Sequence, residues 1–333
     1  MGWSTTLKGF RGPSRSGRRE AVDGRPIIFV GHVSMDLVET PRGRSFQPGG
    51  GALYAALAAR TIYGNVRLAT AIGRDFEFME VLRSFPMAGI RRFDMPSTRF
   101  HITYDERWNA RYLKAQLGAG ARIGLRTIPD SWLRSEVAIH LAPMRPTKVL
   151  RMIRHIRDKV PKALVSVNTW EGYLREGRKM REALRQVAME ADFFILNDGE
   201  VKALAGVNSI SRALDVLEAR TLVVTLGELG AIISSPELGI QMVPALAVPG
   251  GDVIDTTGAG DSWCGAFMGT YVATGDPMKA VAVASIIAGL KCRGWGPSRL
   301  LELRFRSPDE AIEYVMSMRD GFVQKKLSDF ISP

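Results

Sequence analysis

Cysteine is scarce in this chain. Among 333 residues there are 2, Cys264 and Cys292, too few and too far apart for a disulfide framework, which points to a reducing compartment and to both as small core residues. The 4 histidines, His32, His101, His140 and His155, lack the spacing of metal ligands, so neither a zinc site nor a Ser-His-Asp arrangement is expected. Long apolar runs are also missing. The longest, Ala280 to Leu290, is too short to span a bilayer and has helix-core spacing, so no membrane partner is expected. The first residues lack the apolar core of a secretory signal, which predicts a cytoplasmic protein. Acidic residues are outnumbered by Lys and Arg, 34 to 45, for a formal charge of +11.

That surplus has to be located before it is interpreted. Within the first 25 residues Lys8, Arg11, Arg15, Arg18, Arg19 and Arg25 face only Glu20 and Asp23, in a Gly/Ser/Arg-rich stretch without periodicity. Residues 1–25 are therefore expected to be a disordered basic tail. The remaining positive charge is spread over helix faces such as Lys148 to Lys159, which read as solvated amphipathic surface, and no nucleic-acid partner is expected.

The rest is ordinary globular material, 46% hydrophobic and 24% charged, enough for one large domain or a domain with a small appendage. "PIIFVGHVSMDLV" predicts a buried strand over Ile27–Gly31 that ends in a turn, and "GGALYAALAARTIYG" has helical spacing up to a glycine stop at Gly64. "VRLATAIG" is a second strand, followed by a short helix around Phe76 to Leu82. Between Arg91 and Gln116 the pattern shifts to short alternating runs, "RRFDM", "TRFHITYDE" and "NARYLKAQL", suited to antiparallel strands, and a lid is expected at about 91–117. Strands "VAIHLAP", "ALVSVN", "DFFILN" and "TLVVTLG" then alternate with helices around Lys148–Arg157, Lys179–Met189 and Ser209–Glu218. Helices follow at Ala259–Ala273, Pro277–Arg293 and Pro308–Met318, and no internal repeat is seen. Such alternation implies a mostly parallel sheet covered on both faces, with ligands at the carboxyl ends of its strands. Asp36, Asn168, Asn197, Thr225 and Gly227 fall just past those ends.

"DTTGAGDSWCGAF", Asp255 to Phe267, places a glycine-rich turn ahead of an apolar helix. Gly258, Ala259 and Gly260 let the backbone approach an oxygen, and the first-turn amides of the helix have no intrahelical partner, so a phosphoryl group fits there. Taken alone, Asp261 would also serve as a favourable first-turn acid on the helix dipole.

This stretch closely resembles the C-terminal signature of the ribokinase/PfkB family of sugar and nucleoside kinases, and "PGGGALYAALAAR", Pro48 to Arg60, resembles its N-terminal glycine-rich signature. "NDGEVKAL", Asn197 to Leu204, is similar to the family's N-x-x-E motif, and "VVTLGELGAII", Val223 to Ile233, to its nucleotide-contacting strand and turn. The likeness runs from about Pro26 to Pro297. It implies an α/β, ribokinase-like three-layer sandwich: a mostly parallel central sheet with helices on both faces, plus a small β-strand lid. The kinase domain would span 26–320, with a C-terminal tail at 321–333.

The resemblance also implies roles. Asp261 aligns with the general base that takes the proton of a substrate hydroxyl attacking the γ-phosphoryl of ATP, and Gly258, Ala259 and Gly260 with the anion hole. Asn197 and Glu200 would orient water around Mg²⁺; Thr225, Gly227, Gly230 and Thr257 would meet the nucleotide. Asp36, Gly49, Gly50 and Gly51 would hold the acceptor, with further polar contacts from Asn168, Arg107 or Asn109. Each has a plainer alternative: an Asx turn for Asp36, an exposed first-turn helix acid for Glu200, a strand ending in a turn for Thr225 and Gly227. "GALYAALA" lacks the asparagine that many sugar kinases place after the paired glycines, which weakens a ribose or fructose acceptor and leaves sugars, inositol-like polyols and nucleosides open. A basic surface suits such anionic nucleotides. The likeness also allows a monovalent cation and a homodimer that pairs lid strands.

Two other readings compete. A nucleotide-binding oxidoreductase also cradles phosphates on glycines, but "GGGALY" lacks G-x-G-x-x-G spacing and no acidic ribose partner follows. A catalytically silent sugar or nucleotide sensor would have no use for Asp261 and Glu200 together.

Overall fold

The computed structural model describes residues 24–134 and 136–328. The expected tail at 1–25 falls almost wholly outside them; of the one expected at 321–333, residues 321–328 belong instead to the last helix, which runs Pro308–Ser328, and the remainder falls outside. The chain begins β1 (Ile27–Val30), β2 (Ser34–Thr40), β3 (Gly43–Gly49), α1 (Gly51–Arg60), β4 (Val66–Gly73), α2 (Met79–Leu82), β5 (Ile90–Phe93), β6 (Thr98–Tyr104) and β7 (Ala110–Gln116). It continues β8 (Ala138–Leu141), α3 (Pro146–Lys159), β9 (Leu164–Asn168), α4 (Glu171–Arg175), α5 (Arg178–Glu190), β10 (Phe193–Asn197), α6 (Asp198–Ala205) and α7 (Ile210–Val216). Then come β11 (Leu222–Thr225), β12 (Gly230–Ser235), β13 (Gly239–Pro244), α8 (Ala259–Thr274), α9 (Pro277–Lys291), α10 (Ser298–Glu302) and α11 (Pro308–Ser328).

Nine strands form the large sheet in the order β13-β12-β11-β10-β9-β8-β1-β4-β5. Its pairings are parallel from β11 through to β5, and only the β12 and β13 edge is antiparallel. Side chains alternate across a strand, so one strand feeds two cores. Ile27 and Phe29 of β1 join a core built with α1, α8 and α9, while Ile28 and Val30 join another built with α3, α5 and α6. The result is the α/β three-layer sandwich that the alternating pattern implies.

The small sheet has the order β3-β2-β6-β7. It differs from the expected insert in two ways. β5, from "RRFDM", pairs in parallel with β4 at the edge of the large sheet, and β2 and β3 are recruited from ahead of α1. Asp36 accordingly sits inside β2, opposite Gln47 and Phe100, and not in a turn after β1. Among the described residues no helix is long and apolar enough to cross a membrane.

Helices α1 and α8 approach closely because their contact surface is made of small residues. Ala52, Ala55, Ala56, Ala58 and Ala59 of α1 are fully buried, and a Cβ on Gly265 of α8 would lie 1.9 Å from the Ala55 carbonyl oxygen. No rotamer relieves a clash with backbone. Gly265→Ala is therefore expected to destabilise the fold by about 1–3 kcal/mol, the range for overpacking a core, read as a lower denaturant midpoint at unchanged slope. An unchanged midpoint would show that the two helices separate freely.

Candidate functional site

The carboxyl ends of β9, β10 and β11 open into a cleft of about 490 Å³, roofed by Phe100, Ile102 and Tyr112 of the small sheet and floored by the turn before α8. In that turn Gly258 adopts φ 72°, and a Cβ there would meet the Tyr54 ring at 2.2 Å. Only glycine satisfies both conditions. Ala259 N–H donates to the Thr256 carbonyl and Ser262 N–H to the Gly258 carbonyl. The amides of Gly260 and Asp261, opening a 16-residue helix, have no intrahelical acceptor. They present a donor pair with the positive end of the helix behind it.

Asp261 is half-buried beside them. Its Oδ1 accepts a hydrogen bond from Asn168 Nδ2 at 3.0 Å. Burial raises its pKa and the Asn168 donor opposes the rise. Gly51 explains one part of the glycine run: a Cβ there would stand 2.8 Å from Asp261 Oδ1. Gly49 explains another, since its Cβ would overlap Asp36 Oδ2 at 1.8 Å. Gly50 and Gly51 line the cleft, whereas Gly49 backs Asp36.

Asp36 is 1% exposed. Burial pushes its pKa from 3.8 up to about 7, against the Ser34 hydroxyl and Phe100 backbone, which lower it. Its Oδ1 is buried without a hydrogen-bond partner, and Asp36 lines the cleft. Such an acceptor is costly until a hydroxyl reaches it.

Asn197 and Glu200 close a capping box on α6: Asn197 Oδ1 accepts from Glu200 N–H at 2.8 Å and Glu200 Oε2 from Asn197 N–H at 2.9 Å. Glu200 is buried, not an exposed first-turn acid, and burial together with the charges of Asp261 and Glu171 brings its pKa to about 7. Thr225 and Thr257 also line the cleft. Gly227, exposed with φ 59°, and Gly230, packed against the Val243 carbonyl, lie beyond the end of β11 and outside the cleft wall. Arg107 and Asn109 cap Asp105 in the β6–β7 turn, away from the cleft.

Several cleft residues had no signal in the motifs. Phe100, Tyr112, Trp170 and Tyr173 form a row of edge-on rings with centroids 5.9, 5.6 and 5.5 Å apart. His32 also faces the cleft, held neutral by burial and Lys148, with its pKa lowered to about 4.

Residues 138–302 match the family model described as pfkB family carbohydrate kinase. The cytidine kinase of Thermococcus kodakarensis is 27% identical over 252 residues, covering 74% of this chain and 88% of that one. The nucleoside kinase of Burkholderia thailandensis, solved in complex with inosine, superposes with a TM-score of 0.69 at 19% identity, covering 87% of this chain and 98% of that one. The aminoimidazole riboside kinase of Salmonella enterica, solved with aminoimidazole riboside and an ATP analogue, gives 0.70 at 19% identity over 87% of this chain and 100% of that one. Residues 138–302 thus carry a pfkB family carbohydrate kinase domain. The chain is a phosphotransferase acting on a hydroxyl, built on the ribokinase-like fold.

In this kinase the raised pKa of Asp36 has a consequence for stability. The folded chain holds that proton up to about pH 7, while the unfolded chain releases it near 3.8. Stability from this group is therefore present at low pH and lost as pH rises through that window. Asp36→Asn, which cannot ionise, is expected to raise Tm by a few degrees at pH 8 and to leave it unchanged near pH 4. A Tm difference independent of pH would show that Asp36 is ionised throughout.

Proposed function

We propose that this kinase transfers the γ-phosphoryl of ATP to a sugar hydroxyl of a nucleoside. The observation that carries the proposal is Asp261, one oxygen fixed by Asn168 and the other free, beside two unpaired helix-opening amides in a cleft that ends in an aromatic row. In this reading the amides of Gly260 and Asp261 hold the transferred phosphoryl. The acceptor oxygen attacks phosphorus as the bond to the β-phosphate oxygen breaks, ADP leaves, and the hydroxyl proton goes to Asp261. The protein forms no covalent bond; it positions and stabilises charge.

Asp36 accepts from the sugar hydroxyls, and Gly50 and Gly51 give the sugar room. Phe100, Tyr112, Trp170 and Tyr173 offer faces and edges to a nucleobase, at about 1–3 kcal/mol per stacked base. A free sugar or polyol has no use for that wall. The cytidine kinase and the inosine-bound neighbour agree with this acceptor class. Thr225 and Thr257 serve the nucleotide donor.

Among the described residues no group of three or more His, Cys, Asp or Glu side chains is placed to hold a metal. The charge of Asp261 helps raise the Glu200 pKa, which fits a hydrated Mg²⁺ held by phosphate oxygens and oriented through water by Glu200 and Asn197. When bound, Mg²⁺ would neutralise charge on the phosphates. The same reading pairs two copies through the lid, where the edge strand β7 is exposed along its whole length.

A coupled ADP-release screen over nucleosides, free sugars, ribose 1-phosphate, polyols and sugar acids tests the acceptor. Turnover is expected with nucleosides, and turnover confined to free sugars or polyols would contradict the aromatic wall's assigned role. With the acceptor that responds, Asp261→Asn is expected to lower kcat by about a hundredfold or more at nearly unchanged ATP affinity. Near-normal turnover in that variant would remove Asp261 from the base role.

A further inference from the structure

Behind the phosphate turn lies a buried charge that this mechanism does not use. Lys291, the last residue of α9, is 0% exposed, whereas Lys279 of the same helix reaches the surface to pair with Asp309. Its Nζ donates to the Asp255 carbonyl at 2.7 Å, stands 3.6 Å from Asp255 Oδ2, and lies 5.2 Å from the centre of the Tyr54 ring. That is the ring on which Gly258 rests.

Asp255 is also 0% exposed. Oδ1 accepts from Thr257 N–H at 2.8 Å, and Oδ2 from Gln47 Nε2 at 2.8 Å and Gly296 N–H at 2.9 Å. One residue thus ties β3, the segment after α9 and the turn itself together, and its carbonyl end is bound by the ammonium. A buried ion pair is no cheap source of stability. Burial lowers the Lys291 pKa while Asp255 works to raise it. Its charge has a clear use here: an uncompensated Asp255 carboxylate behind the turn would repel a triphosphate, and the ammonium cancels it. A free cation in that role would have to be drawn from solution; an attached one is always in place.

We propose that Lys291 is a positioning residue whose ammonium serves as a built-in cation behind the phosphate-binding turn, so that phosphoryl transfer does not depend on an added monovalent cation. This rests on the kinase reading above. The ammonium fixes Asp255, Asp255 fixes Thr257, and Gly258 and the free amides follow.

The test measures ADP release and, independently of any acceptor, the Kd for ATP by calorimetry. Both are followed across a KCl titration, with ionic strength held constant by tetramethylammonium chloride. The intact protein is expected to show a flat response. Lys291→Met, with the length but not the charge, is expected to lose about tenfold or more in kcat, with a smaller rise in the Kd for ATP. Lys291→Ala, which opens space, is expected to recover part of the loss in KCl or ethylammonium. If Lys291→Met fails to fold, Lys291→Gln replaces it, keeping a donor without charge, with the same loss expected. Activation of the intact protein several-fold by KCl would overturn the proposal, as would normal kcat in a folded uncharged variant. An intact protein that binds no ATP would instead contradict the kinase reading itself.

Discussion

Gly258 holds its backbone at φ 72° against the face of Tyr54, and the direction in which α8 begins follows from that contact. A side chain at this position would collide with the ring and require strained backbone, so the turn and helix α1 must fit each other before any ligand arrives. Once the turn is set, the amides of Gly260 and Asp261 face the cleft and the Asp261 carboxyl stands next to them. Asn168, at the end of β9, then fixes which carboxyl oxygen is left free. Three separate pieces of chain, from α1, β9 and α8, therefore meet at one carboxyl group.

The electrostatics of the cleft show the same economy. Asp36, Glu200 and Asp261 are all shifted toward the neutral acid, chiefly by burial. Folding compensates these groups only in part, through the capping box on Glu200, the Asn168 bond to Asp261, and the Ser34 hydroxyl and Phe100 backbone beside Asp36. Asp255 is treated differently: its oxygens are fully engaged by Gln47, Gly296 and Thr257, and Lys291 sits beside it. The distinction separates three carboxyls that line the cleft from one committed to holding the turn.

Much of this was legible in the amino-acid sequence, for physical reasons. Alternation of apolar strands with amphipathic helices forces a covered parallel sheet, and glycines where backbone meets backbone or carboxylate leave a visible run, as at Gly49 to Gly51. The capping motif Asn197 to Glu200 is local, so it can be read from spacing alone. Other features are invisible in one dimension. β2, with β3 beside it, joins the small sheet through its pairing with β6, a contact between distant segments that no local pattern of theirs carries. The aromatic row is assembled from β6, β7 and the start of α4, and no single stretch carries its pattern. Lys291 looks like an ordinary helix-ending lysine until its partner, 36 residues away, is known. Gly227 and Gly230 show the reverse: a motif match places them near the nucleotide, while in this structure they stand outside the cleft wall.

The central claim is one of geometry: a terminal phosphate on the amides that open α8, and an acceptor hydroxyl on the free oxygen of Asp261. A crystal structure with a non-hydrolysable ATP analogue and the responding nucleoside measures it directly. The account predicts the γ-phosphate within hydrogen-bond distance of the Gly260 and Asp261 amides, and the reacting hydroxyl within reach of the Asp261 oxygen that Asn168 does not hold. A γ-phosphate bound elsewhere, or an Asp261 carboxyl turned away from the acceptor, would contradict it.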